Sequence, residues 1–165
     1  MSQSSAGKYL TFQLGKEAYG IGIMKVQEIV GVMPVTRMPK MPHFVRGLVN
    51  LRGKVIPVFD LRLKFGLEPK EDTDRTCIIV VRLSLGADRA PDSEVTLGVI
   101  VDEVSEVVNV PEAQIEAAPA FGSVVDVSFL LGVAKLGNKV VMLLDADRIL
   151  PREELQIVTA GAEAA

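Results

Sequence analysis

The sequence repeats itself, and this limits the folds open to it more than any other feature. Residues 19–30 (YGIGIMKVQEIV) align with residues 97–108 (LGVIVDEVSEVV), so that Gly20 meets Gly98, Val26 meets Val104, Glu28 meets Glu106 and Val30 meets Val108, an offset of 78 residues. Residues 46–61 (RGLVNLRGKVIPVFDL) align with 131–146 (LGVAKLGNKVVMLLDA), pairing Gly47 with Gly132, Leu51 with Leu136, Lys54 with Lys139, Val55 with Val140 and Asp60 with Asp145 at an offset of 85. Two blocks in the same order at similar offsets imply one supersecondary unit used twice.

The unit reads as β. Its apolar residues fall in short alternating or continuous Val, Ile and Leu runs bounded by Gly, Pro, Asn or Asp. Strands are expected near 9–14, 18–23, 26–33, 47–51, 54–59, 75–83, 95–101, 103–110, 129–136 and 139–144. Leu51-Arg52-Gly53-Lys54 and Leu136-Gly137-Asn138-Lys139 each set glycine between apolar runs, as a tight hairpin with positive φ requires. About five short strands per copy is enough to close a small barrel, so two pseudo-symmetric barrels sharing one core are expected. Short helices should follow the second and last hairpins, where Asp60 and Asp145 are placed to cap. Residues 66–74 and 86–94 are polar and aperiodic and read as exposed loops, and the tails 1–7 and 159–165 as flexible. The domain is expected over 8–158, with subdomains near 9–66 and 75–150.

Several function classes drop out. A net charge of −3, 5% aromatics and no Trp give no basic or stacking surface for nucleic acid. No apolar stretch reaches the length of about 18 residues that a membrane span needs, and residues 1–8 (MSQSSAGK) lack the form of an export signal. With one cysteine, Cys77, an internal disulfide is impossible. A soluble cytoplasmic protein with no membrane insertion is therefore expected.

Catalytic constellations are also missing. His43 is the single histidine and has no nucleophile near it in sequence. Cys77 sits in a continuous apolar run, where a thiol acts as a small hydrophobe. Gly20-Ile-Gly22 lies inside a strand pattern without the following helix of a phosphate loop, and the scattered Asp72, Asp74, Asp92 and Asp102 lack metal-ligand spacing. The serious enzyme reading is a hydrolase using one Asp per repeat, Asp60 and Asp145, as aspartic proteases do. Neither Asp is followed by the Thr/Ser-Gly of that chemistry, and helix capping explains both. No catalytic residue, cofactor or metal is expected.

What remains is binding surface. In Val26-Gln27-Glu28-Ile29, strict alternation puts Val26 and Glu28 on one face, so that face is either exposed or a docking edge. An ion pair between Glu28 and Arg52 would be the plain structural alternative.

These residues resemble a known family. Tyr9-Leu-Thr-Phe-Gln-Leu-Gly, Tyr19-Gly-Ile-Gly-Ile-Met-Lys-Val-Gln-Glu-Ile, Gly47-Leu-Val-Asn-Leu-Arg-Gly, Ile56-Pro-Val-Phe-Asp-Leu-Arg and Gly98-Val-Ile-Val-Asp are similar to the CheW family of chemotaxis coupling proteins. The resemblance implies a mainly β fold of two intertwined five-stranded SH3-like barrels with a few short helices. It implies a non-catalytic adaptor, monomeric when free, coupling the cytoplasmic helical-hairpin tip of chemoreceptors to the regulatory domain of the histidine kinase CheA in membrane-associated arrays. By similarity the receptor would contact Val26, Glu28, Arg52 and Val107, and the kinase Val35, Met38, Ile115 and Phe121. Glu116 stands where some relatives are basic, which alters the charge expected beside Ile115. An adaptor of another chemosensory pathway, for pilus-driven motility or second-messenger control, is the alternative.

Overall fold

The computed structural model describes residues 6–84, 94–116, 129–150 and 157–158. Among these residues the apolar runs form eleven strands: β1 (Gly7–Leu14), β2 (Glu17–Gly22), β3 (Val26–Gly31), β4 (Val45–Leu51), β5 (Lys54–Asp60), β6 (Cys77–Ser84), β7 (Glu94–Val101), β8 (Glu103–Val110), β9 (Ile115–Glu116), β10 (Leu130–Leu136) and β11 (Lys139–Leu144). A short α-helix, α1 (Leu61–Lys64), follows the β4–β5 hairpin, and a 3₁₀ turn (Ala146–Arg148) follows β10–β11.

The strands make two sheets, of order β8-β1-β2-β11-β10-β9 and β3-β6-β7-β5-β4. Each is closed at its ends by one continuous stretch of chain. Past β3, the chain reaches Thr36, whose N–H and C=O exchange 2.8 Å hydrogen bonds with Leu48 on β4 at the opposite edge. Past β8, it reaches β9, which pairs with Val133 and Ala134 of β10. The sheets cut across the halves 9–66 and 75–150: β1 and β2 pair with β8 and β11, whereas β6 and β7 pair with β3 and β5. Between β2 and β3 the chain passes from the first sheet to the second, and between β7 and β8 it returns.

Burial follows the same symmetry. One cluster, containing Val49, Ile56, Val58, Ile78, Val80 and Ile100, fills the interior of the barrel built on β3–β7. A second, with Tyr9, Val110, Ala134, Val141 and Leu143, fills the other. Val49, Ile56 and Val58 are the repeat equivalents of Ala134, Val141 and Leu143. A third cluster lies between the barrels and draws Phe12, Leu14 and Ile21 from one sheet and Phe59, Ile79, Leu97 and Val99 from the other. Fully burying a side chain of this size contributes about 1.5–3 kcal/mol, so neither barrel would keep its inner layer apart from the other. The single shared core expected from the sequence is thus three: two barrel interiors and a seam.

Both caps form. Asp60 accepts the Arg62 N–H (2.9 Å) and Asp145 the Asp147 N–H (3.1 Å). The symmetry reaches the backbone, where the Asp60 N–H donates to the Phe44 carbonyl (2.7 Å) and the Asp145 N–H to that of Phe129 (2.8 Å). The two acids differ in their surroundings. Asp60 is buried and pairs with Arg46 at 3.0 Å, while Asp145 pairs at 3.5 Å with a largely exposed Arg148. Asp60→Ala should therefore cost about 2–3 kcal/mol, a cap plus a charged hydrogen bond, and Asp145→Ala about 1 kcal/mol; urea denaturation of the two variants measures the difference.

Some sequence expectations change. Strand β3 stops at Gly31 rather than Met33, β9 adds a sixth strand to one sheet, and Cys77 is half-buried at the start of β6, its Sγ 3.2 Å from the Arg75 carbonyl. The loop 66–74 is exposed but tied down: Asp72 pairs with Arg46 (2.9 Å) and Arg62 Nε donates to the Glu68 carbonyl (2.9 Å). Residues 86–93 of the second loop and the tail 159–165 lie outside the described residues.

Candidate functional site

The β4–β5 hairpin presents a charge on an unusual backbone. Its two-residue turn needs positive φ at both central positions, where Asn-Gly is the favoured pair. Arg52 and Gly53 occupy them at φ 54° and 86°. Asn50 stabilises the turn by accepting the Gly53 N–H at 2.8 Å. For a side chain as long as arginine this conformation is strained, and nothing in the turn itself requires an arginine.

Across the barrel, β3 meets the turn. Arg52 Nη1 donates to both Glu28 oxygens, at 2.7 and 2.5 Å, so the barrel edges β3 and β4 are bridged by a charge pair. The Glu28 hydrogen bond raises the Arg52 pKa further, and the guanidinium is charged at any accessible pH. The Glu28 side chain is 23% exposed and that of Arg52 is 72% exposed, so the cation is the part offered to solvent. Ile29 on β3 and Val55 on β5 are both large and exposed.

A bulge explains why alternation misleads here. The register of β3 against β6 shifts between Val26 and Glu28. Val26 packs against the seam between the barrels and Val30 against a barrel interior, although strict alternation would put both on one side. The single-face reading of Val26 and Glu28 is corrected accordingly. The equivalent bulge in β8 falls opposite Thr11 of β1, whose Oγ1 donates to the Glu106 carbonyl (2.7 Å) and accepts the Glu106 N–H (3.1 Å).

Of the four residues expected to meet a receptor, the structure brings Glu28 and Arg52 into contact and sets Val26 two residues along β3. Val107 is on β8 of the other sheet, half exposed, at the position equivalent to Ile29. The set thus spans both barrels.

The four expected at the kinase divide differently. Val35 packs against one barrel interior and Ile115 against the other, and each abuts a glycine of the facing strand, Gly47 and Gly132. Met38 lines a surface cavity beside Arg37 and Met41. Phe121 lies outside the described residues. Glu116, next to Ile115, pairs with Lys135 at 2.9 Å, so its charge is locally answered.

The hydrolase reading fails on geometry. Asp60 and Asp145 each cap their own helical turn and each pair with their own arginine, so they do not share a proton across one site. Sequence reasoning did not single out Ile29 and Val55, although Ile29 is an apolar residue out of phase with Glu28; nor Arg46, whose partners are 14 and 26 residues away.

Comparison with known proteins gives a consistent picture. The family model described as a CheW-like domain matches residues 8–154. Chemotaxis protein CheW of Klebsiella aerogenes is 36% identical over 151 residues, covering 92% of this chain and 86% of that protein. Chemotaxis protein CheW of Rhizobium meliloti is 33% identical over 159 residues, covering 92% and 97%. The crystal structure of scaffolding protein TtCheW from Thermoanaerobacter tengcongensis superposes with a TM-score of 0.75 at 33% identity, over 90% of this chain and 97% of that one.

Proposed function

The chain belongs to the CheW-like domain family, and from that premise we propose how it performs the work of a non-catalytic chemotaxis coupling and scaffolding protein. The chemoreceptor's helical tip docks on the surface that carries Arg52, with Glu28 orienting the guanidinium and Val26 and Val107 supplying apolar area from the two barrels. The regulatory domain of CheA packs on the barrel ends, Val35 and Met38 at one and Ile115 and Phe121 at the other. Because the seam packs the two barrels against each other, receptor and kinase are held in one geometry, and a change in receptor conformation alters the kinase equilibrium through differential contacts. No helix among the described residues is long and apolar enough to cross a membrane, so the association with receptor arrays is assigned to these protein contacts.

The observation that carries this reading is Arg52 at φ 54°. A turn that favours Asn or Gly holds a large cation there, and local rules are broken in this way where a side chain is needed outside its own fold. Capture of a receptor cytoplasmic fragment and of a CheA regulatory domain by the purified chain tests it. Arg52→Glu should weaken receptor capture by about tenfold or more and leave kinase capture unchanged. Arg52→Gly should do the same while relaxing the turn, with Tm held within about 3 °C. Undiminished receptor capture by Arg52→Gly would remove Arg52 from the interface.

A further inference from the structure

A second strained cation sits beside a surface cavity that the proposed kinase contact touches at Met38 alone. Between β3 and β4 the chain carries Pro34, Pro39 and Pro42, and Lys40 among them has φ 62°. Lys40 and Arg52 are the non-glycine residues of positive φ among the described residues. Beside Lys40 opens a cavity of about 330 Å³ with Arg37 at its rim, Met38, Met41 and Pro42 as walls, and Phe44 and Leu63 beneath.

Its base is rigid. Arg46 hydrogen-bonds Asp60 (3.0 Å) and Asp72 (2.9 Å); burial alone would lower its pKa, but those two carboxylates outweigh burial and raise it. Phe44 is 3% exposed and meets His43 and Phe59 edge-on, with centroids 5.7 and 6.2 Å apart. Lys64 Nζ lies 4.9 Å from the Phe44 centroid. The walls differ from the base, since Met38 and Met41 are half-buried and unbranched, a side-chain type that repacks around varied apolar groups.

Charge decides what fits. The chain as a whole is acidic, net −3, yet Arg37 and Lys40 are exposed here and have no carboxylate partner among the described residues. Asp60, the acid that lines the cavity, is engaged by Arg46. The volume is at the low end for ligand pockets and holds one or two side chains.

We propose that this cavity docks an acidic, apolar-anchored segment of a protein partner. One large apolar side chain would sit over Phe44 and Leu63 between the methionines, with a neighbouring carboxylate on Arg37. The site is separate from the Arg52 surface and meets the proposed kinase contact at Met38 alone, so it stands whichever protein brings the segment.

The test titrates the full chain with a blocked octapeptide, Glu-Asp-Glu-Leu-Phe-Glu-Asp-Glu, and with its analogue in which every acid is replaced by Lys, following methionine methyl and backbone amide NMR signals. The acidic peptide should shift the Met38 and Met41 methyls and the Arg37 and Phe44 amides saturably, and the basic analogue should not. Arg37→Glu should weaken binding by at least about fivefold, as should raising NaCl from about 0.05 to about 0.3 M. Arg37 is exposed, so the variant keeps its fold, which its unchanged amide spectrum elsewhere will show. Absence of shifts at millimolar peptide, shifts centred on Arg52, or affinity indifferent to Arg37→Glu would each overturn the proposal. None of these results bears on receptor capture through Arg52.

Discussion

Gly47→Ala should lower stability by about 3–5 kcal/mol, the largest loss we expect from adding a single methyl group. Two costs coincide at this position. Its φ of 146° is one that L residues rarely adopt, and a Cβ would run into the Thr36 carbonyl oxygen and lie 2.7 Å from Val35 Cγ1. Strain of that kind costs about 1–3 kcal/mol, and overpacking a closed site about 1–3 kcal/mol more. Other glycines separate the two. At Gly53 (φ 86°) an added Cβ meets nothing within 4 Å, so Gly53→Ala should show the strain alone. At Gly132 φ is outside the left-handed range, but a Cβ would be 2.7 Å from the Glu116 carbonyl oxygen and 2.9 Å from Ile115 Cγ2, so Gly132→Ala should show the clash alone. Chemical denaturation of the three variants should rank Gly47 first, and a loss at Gly53 as large as at Gly47 would refute the steric account.

Gly47 and Gly132 also show what the repeat made legible. They are paired at the offset of 85 in the sequence, and in the structure each lets a strand from across the barrel pass over it, Thr36 in one case and Glu116 in the other. The matched blocks predicted both hairpins and both Asp caps, because each rests on local pattern: turn glycines and a cap acid. The interleaving was less accessible. That β1 and β2 join β8 and β11 rather than β3–β5 depends on pairings between distant segments, antiparallel for β1 with β8 and parallel for Ala18–Ile21 with Val141–Leu144 and Val58–Asp60 with Gly98–Ile100, and the family resemblance rather than any residue spacing pointed to it. Strand β9 is two residues long after a 3₁₀ turn, too short to leave a period.

The candidate site was legible in part. The Glu28–Arg52 pair, considered from sequence as the plain structural alternative, is present, and so is a reason to look beyond it, since the backbone strain at Arg52 is invisible until φ is known. The bulge at Gln27 inverted the facial logic around Val26 and could not be read from residue types that suit a regular strand equally well. Arg46 holds Asp60 at the end of β5 and Asp72 in the loop 66–74, a tertiary fact with no local signature.

The second large effect is expected where the chain crosses between sheets. At the β7–β8 crossover, Asp102 Oδ2 accepts from Arg62 Nη1 on α1 (2.6 Å) and from the Gly15 N–H in the β1–β2 turn (2.7 Å), and the Asp102 N–H donates to the Gln13 carbonyl (3.1 Å). One carboxylate thus ties the helix of one barrel to a turn of the other. At the β2–β3 crossover, Lys25 pairs with Asp147 at 2.8 Å, two residues past the cap Asp145 just as Arg62 is two past Asp60, so Arg62 and Asp147 hold matched positions with opposite charge, while Lys25 stands one residue beyond Met24, the match of Asp102. The two pairs should differ in strength. The Arg62 and Asp102 side chains are 14% and 9% exposed, those of Lys25 and Asp147 33% and 30%. Breaking a largely buried pair strands its partner, so Asp102→Ala should cost about 3 kcal/mol, against at most about 1 kcal/mol for Lys25→Ala. Asp102→Asn, which still accepts from Gly15, should lose about half as much as Asp102→Ala. Urea denaturation of these variants, with Arg62→Met completing a double-mutant cycle, measures the coupling directly; equal losses at Asp102 and Lys25 would show that burial does not set the strength of the crossovers.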